Sequence, residues 1–226
     1  MTRTASHSRL LSLGSCMSAE VTVLSSRTTV PSSSLNGRTL GIIGVGGIGS
    51  RVAKLAKAFN MTVLGVRRHP ERGANGADEV YGLDALHAVL GKSDYVLIST
   101  PITKDTDGFF GSAEIAAMKP GAFLLNIARG NLTHEAPLHD ALVSGKLSRY
   151  GSDVWWTYNN CFPPTYHFPV PSRTGIHKME NVLGTGDQAA NADDVIELAM
   201  DRSIESLSEL QAGKPLKWAI DLDLGY

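Results

Sequence analysis

The feature that most constrains this chain is Thr39-Leu-Gly-Ile-Ile-Gly-Val-Gly-Gly-Ile-Gly49, followed by Ser-Arg-Val-Ala-Lys-Leu-Ala-Lys-Ala-Phe59. Leu40, Ile42 and Ile43 read as a short buried strand, and Val52, Leu55, Ala56 and Phe59 recur at helical spacing beyond the glycines. Strand, glycine turn and helix in that order admit few folds. Gly44, Gly46 and Gly49 take the three glycine positions of a dinucleotide-binding fingerprint: a tight turn, backbone approach to a diphosphate, and close packing of helix on strand. The helix N-terminus adds unpaired N–H groups and a partial positive charge, which favour that anion.

The rest of the chain repeats the alternation. Thr62 to Val66 alternates as a second strand, Glu79-Val80-Tyr81 reads as a short third, and Leu83, Leu86, Val89 and Leu90 make a helix face. Tyr95-Val-Leu-Ile98 and Ala122-Phe-Leu-Leu-Asn126 are near-continuous apolar runs, the pattern of parallel strands covered on both sides. Strands alternating with helices over short connections predict an α/β fold with a doubly wound parallel sheet. Ligands of such sheets gather beyond the carboxyl ends of the strands, where Ser99 to Pro101, Arg129 and Asp153 fall. Arg67 and Arg68 close the second strand, at the place where an NAD site usually carries an acid. Paired guanidiniums bind a 2′-phosphate through charge-assisted hydrogen bonds, so NADP is the sharper expectation and NAD the other; a solvated surface pair is the plain alternative.

Composition narrows the partners. A net charge of −1 and a pI near 6.6 give no reason to expect nucleic acid or an anionic membrane surface. No apolar run approaches the roughly 20 residues needed to cross a bilayer, so no membrane partner is expected. Cys16 and Cys161 match no metal or redox spacing, and no metal is expected; a reducing compartment, the cytoplasm, is the default. Residues 1–35 are rich in Ser and Thr, carry Arg3, Arg9 and Arg27, and have Glu20 as their one acid. That composition reads as a disordered leader or the remnant of a lobe, and it also fits a mitochondrial transit peptide.

With these segments assembled, the chain resembles the D-isomer-specific 2-hydroxyacid dehydrogenases, the group that includes glyoxylate and hydroxypyruvate reductases. The resemblance runs from Leu35 to Tyr226 and rests on an ordered set of motifs: Leu35-Asn-Gly-Arg-Thr-Leu-Gly-Ile-Ile-Gly44, Thr100-Pro-Ile-Thr-Lys-Asp-Thr106, Met118-Lys-Pro-Gly121, Leu125-Asn-Ile-Ala-Arg-Gly130, Gly151-Ser-Asp-Val-Trp155 and Glu180-Asn-Val-Leu183. It implies a Rossmann-type nucleotide domain over residues 36–186 and an incomplete second, substrate lobe, with 187–226 as that lobe's C-terminal helix and tail. It implies hydride transfer between a nicotinamide cofactor and a small 2-oxo or 2-hydroxy acid, in a homodimer. Gly47 and Ile48 would lie under the diphosphate, Thr100, Pro101 and Thr106 would line the cofactor cleft, and Ile127 and Ala128 would touch the nicotinamide side. Asp153 would orient the carboxamide, and Arg129 would hold the substrate. Arg129 also fits on chemistry alone, since a guanidinium can grip a 2-oxo acid bidentately and polarise its carbonyl.

Three departures stand against this pattern. Where the family carries a proton-donating histidine after a Thr-Pro pair, this chain has Thr185-Gly186-Asp187. A free aspartate, with a pKa of about 3.9, has no proton to give at neutral pH unless burial raises that value. Asp187 is therefore a weak substitute, with the loop histidines His167 and His177 as alternatives. The glutamate that usually pairs with the family's histidine is also missing, with Tyr158 near its expected place. Only the leader precedes Leu35, so the apolar stripe Val195, Leu198, Ala199, Ile204, Leu207 and Leu210 lacks its usual partner. A catalytically silent dinucleotide-binding protein, or a truncated homologue, is the competing expectation.

Overall fold

Seven parallel strands form one sheet: β1 (Thr39–Ile43), β2 (Thr62–Val66), β3 (Glu79–Tyr81), β4 (Tyr95–Ile98), β5 (Ala122–Asn126), β6 (Leu147–Ser152) and β7 (Val182–Gly184), in the order β3-β2-β1-β4-β5-β6-β7. The computed structural model describes residues 34–157, 171–187, 189 and 192–220. The leader through residue 33, Cys16, Tyr158, Cys161 and His167 lie outside the described residues. The strand order reverses between β1 and β4, which pair directly from Leu40↔Tyr95 to Ile43↔Ile98. That reversal is the topological switch point, where an open parallel sheet leaves a crevice at its carboxyl edge.

The β1 side chains alternate between two cores. Leu40 and Ile42 pack with Ala53 and Ala56 of α1 (Gly47–Ala58), while Ile43 joins Leu90 of α2 (Leu86–Lys92), Ile115 of α3 (Ser112–Ala117) and Leu138 of α4 (Glu135–Val143). Helices therefore cover both faces, as a doubly wound sheet requires. A short 3-10 turn, Leu83–Ala85, leads into α2 and leaves Leu83 exposed, so the predicted face is carried by Leu86, Val89 and Leu90.

The predicted face of α1 holds at Ala56, which is buried, and at Val52, half-buried against the same core, and is corrected at Leu55 and Phe59. Gly49, Ala53 and Ala56 are its buried residues, whereas Leu55 is 63% and Phe59 58% exposed. The reason is steric: α1 starts so close to β1 that a Cβ at Gly49 would run into the Gly44 carbonyl and press on Ile42. Only small residues fit along that contact, and the larger apolar ones turn outward. The C-terminal stripe lies on α5 (Val195–Gln211), in which no residue is buried; Ile196, Met200, Ile204, Leu207 and Leu210 are all exposed. No helix among the described residues is long and apolar enough to cross a membrane.

Candidate functional site

The glycine turn is pinned from both sides at the switch point. Gly44 N donates to the Val66 carbonyl at 2.8 Å, Ser99 N to the Ile43 carbonyl at 2.9 Å, and Ser99 Oγ to the Gly44 carbonyl at 2.8 Å. Gly44 has φ +98°, and a Cβ there would lie 2.8 Å from backbone atoms of Ser99 and Thr100. That glycine serves the fold. Gly46 and Gly47 differ, because a Cβ on either would meet nothing within 4 Å. Gly46 is the N-cap of α1, with no side chain capping it and no acidic residue in the first turn. The first-turn N–H groups, which have no partner within the helix, thus open onto side-chain-free space at the positive end of the helix dipole.

The flanking strands deliver the other residues. Beyond β2, Arg67 Nη1 donates weakly to the Gly73 carbonyl at 3.4 Å, and Arg68 Nη2 pairs with Asp105 Oδ2 at 2.8 Å. The guanidiniums sit at the strand tip as predicted, but they are tied to different neighbours. Beyond β4, the Thr106 hydroxyl donates to the Pro101 carbonyl at 2.8 Å and accepts from Thr103 N at 2.7 Å. Its bonds close the loop on itself, so Thr106 shapes the loop that carries Thr100 and Pro101.

Beyond β5, the fully buried Asn126 organises the exit. Its carboxamide donates to the Arg129 carbonyl at 2.8 Å and accepts from Ala128 N at 3.1 Å, while Ile127 N donates to the Ile98 carbonyl at 3.3 Å. Ile127 and Ala128 are half-buried beside the two cores, and Arg129 is exposed, with Nη1 donating to the Ala128 carbonyl at 2.6 Å. A Cβ at Gly130 would collide with the Trp155 backbone, so this glycine sets the loop against the exit of β6.

At that exit Asp153 accepts hydrogen bonds from Thr185 Oγ1 at 2.5 Å and Ala189 N at 3.1 Å, and its own carbonyl accepts from Asp187 N at 2.8 Å. Arg129, Asp153 and Asp187 thus stand at the ends of adjacent strands β5, β6 and β7, and the glycine turn leaves β1, with β4 between it and β5. Asp187 is exposed with φ +58°, so nothing removes its carboxylate from water.

His177 lies in the 3-10 turn Ile176–Lys178 that precedes β7. It packs edge-on against Trp155, ring centroids 6.3 Å apart, with Nδ1 buried and without a hydrogen-bond partner among the described residues. Burial lowers its pKa, the neighbouring Lys178 lowers it further, and Glu135 opposes both. Trp155 in turn touches the end of β7: Nε1 donates to the Thr185 carbonyl at 2.7 Å, and the ring fills the space where a Cβ at Gly184 would be.

Asn126, Trp155 and Asp105 were not assigned roles from the sequence. A terminal Asn on an otherwise apolar run is a usable signal, since a buried amide must be hydrogen-bonded. The Trp155–Gly184 fit and the Arg68–Asp105 pair join residues far apart in the chain and leave no local signature.

The family profile described as the NAD binding domain of D-isomer specific 2-hydroxyacid dehydrogenases matches residues 6–186, a span that begins upstream of Leu35. The D-3-phosphoglycerate dehydrogenase of Methanocaldococcus jannaschii is 29% identical over 180 residues, 80% of this chain and 32% of that protein. Among solved structures, a D-isomer specific 2-hydroxyacid dehydrogenase family protein from Aeromonas salmonicida is similar with TM-score 0.71 and 33% identity, over 85% of this chain and 58% of the other. A D-isomer specific 2-hydroxyacid dehydrogenase from Xanthobacter autotrophicus, solved with NADPH and MES, gives TM-score 0.72 and 27% identity, over 87% and 75%. This chain spans less than two-thirds of the length of the curated relatives it matches. The profile, the strand order and the motifs agree: the chain belongs to the D-isomer specific 2-hydroxyacid dehydrogenase family, and the matched portion is that family's NAD binding domain.

Proposed function

We propose that this chain binds NADPH, and less strongly NADH, across the carboxyl edge of its sheet and acts as an oxidoreductase on a small 2-oxo or D-2-hydroxy acid. The observation that carries the reading is the pairing of an open glycine turn at the switch point with an exposed arginine two strands away. The residues present fit the cofactor. Gly46, Gly47 and Ile48 offer backbone amides to a diphosphate, Gly44 and Gly49 let the turn close, and Arg67 and Arg68 offer charge to a 2′-phosphate. Thr100, Pro101, Ile127 and Ala128 border the nicotinamide half, and Asp153, fixed by Thr185, orients the carboxamide. The bound cofactor supplies or accepts the hydride.

Arg129 holds the substrate carboxylate and polarises the carbonyl, its guanidinium carried on a loop fixed by Asn126. The proton for the new alcohol comes from water at this exposed edge, because Asp187 is not buried as a donating carboxylic acid would have to be. Absence of a well-placed general acid lowers turnover by about 10² to 10⁴-fold, so slow catalysis is expected. We place the protein in the cytoplasm as a homodimer, on its cysteine spacing and its family.

The test is NADPH oxidation followed at the reduced-nicotinamide band with glyoxylate or hydroxypyruvate. Turnover above the rate without protein supports the oxidoreductase. Cofactor binding with no turnover on either acid contradicts it and leaves a silent dinucleotide-binding protein.

A further inference from the structure

We propose that Asp105 sets how strongly this chain prefers a phosphorylated dinucleotide, by holding Arg68 across the end of β1 until a 2′-phosphate takes its place. The inference rests on the NADPH reading above.

Arg68 leaves β2 and Asp105 belongs to the loop that leaves β4, and these strands flank β1 on its two sides. A direct bond between them, 2.8 Å from Arg68 Nη2 to Asp105 Oδ2, therefore spans the carboxyl end of β1, from which the glycine turn emerges. The two partners differ in their surroundings. The Arg68 side chain is 28% exposed and that of Asp105 74%, so the arginine is held near the protein while the aspartate stands in solvent. Asp105 can swing away at little cost, and Arg68 stays.

A 2′-phosphate and the Asp105 carboxylate are alternative acceptors for one guanidinium. The carboxylate competes with the phosphate when paired and repels it afterwards from the same short loop. NADH carries hydroxyls there and meets neither penalty. Asp105 thus works against NADPH selectively, moderating the preference that Arg67 and Arg68 create. It is a specificity-determining residue with no contact to the reacting atoms.

A solvent-exposed pair holds its partners by no more than a few-fold, so the expected effect of removing it is correspondingly modest. The full chain, as wild type and as Asp105→Asn and Asp105→Glu, is titrated with NADPH and NADH by cofactor fluorescence. Asp105→Asn is expected to tighten NADPH by about two- to fivefold with NADH unchanged. Asp105→Glu should restore the wild-type ratio, and the Asn effect should shrink at high salt. Equal tightening of both cofactors, an unchanged ratio, or weaker NADPH binding overturns the role of Asp105 alone. A wild-type chain that binds neither cofactor overturns the NADPH reading and this inference with it.

Discussion

Two glycines of one turn should fail in opposite ways. Gly44→Ala puts a Cβ on a residue at φ +98° and 2.8 Å from the Ser99 and Thr100 backbone. The strained backbone costs about 1–3 kcal/mol, and the overpacking against backbone that cannot move aside costs about 1–3 more. A total of about 2–6 kcal/mol is a large share of the roughly 5–15 kcal/mol that holds a domain folded. Gly46→Val is a different perturbation. Gly46 has φ −97° and ψ −152°, open to any residue, and its Cβ would meet nothing within 4 Å. Valine is a poor N-cap, at about 1 kcal/mol, offset in part by a stiffer unfolded chain. Its side chain nevertheless fills the space through which a diphosphate reaches the helix amides. Urea unfolding and NADPH fluorescence titration separate the two effects. Gly46→Val should unfold within about 1 kcal/mol of wild type and bind NADPH at least roughly 100-fold more weakly, a loss of about 2.7 kcal/mol. Gly46→Val binding NADPH as wild type does, or Gly44→Ala unfolding like wild type, refutes the division of labour.

Other substitutions probe the acid-binding edge and the core beside it. Arg129→Met should leave urea stability and NADPH affinity near wild type, because the side chain is exposed and Nη1 donates to the adjacent Ala128 carbonyl. It should lower kcat/KM for glyoxylate by at least about 100-fold, as loss of a charged, transition-state-directed donor does. Asp187→His should raise kcat at neutral pH, the imidazole having a proton to give near its ordinary pKa of about 6.5; an unchanged or lower kcat counts against a missing proton donor as the limit on rate. His177 is half-buried with Nδ1 shut off from solvent, and its pKa is lowered by that burial and by Lys178, against Glu135. Its contribution to stability is complete above the unfolded value of about 6.5 and is lost as pH falls below it, because the unfolded chain takes up the proton first. Urea midpoints of His177→Phe should therefore fall less than wild type between pH 7.5 and 5.5, and parallel midpoints would contradict the burial.

The parts of the molecule legible in the sequence were those with local cause. The glycine turn announced itself between the apolar run of β1 and a helix, and β2, β4 and β5 followed from runs whose ends coincide with Arg, Thr-Pro or Asn. The outward turn of Leu55 and Phe59 was not legible. Helical spacing gives the period of a face, and the Gly44–Gly49 approach, a tertiary contact, decides which face is inside. β6 was hard to read because Leu147-Ser-Arg-Tyr-Gly-Ser152 mixes polar residues into a strand whose Tyr150 is fully buried. Site residues at strand ends were placed by position alone, since parallel strands bring their carboxyl ends to one edge whatever lies between them in the chain. What each side chain bonds there, as with Arg68 and Asp105, depends on partners that β1 separates and the sequence does not join.

Thermal unfolding of the full chain with and without NADPH tests the central claim most directly. A ligand bound only by the folded form at 100 times its Kd stabilises by about 2.7 kcal/mol. For a domain of this size that is a rise in Tm of about 5 to 10 °C, reduced to near zero in Gly46→Val. An unchanged Tm at saturating NADPH and NADH would mean that the glycine turn holds no dinucleotide.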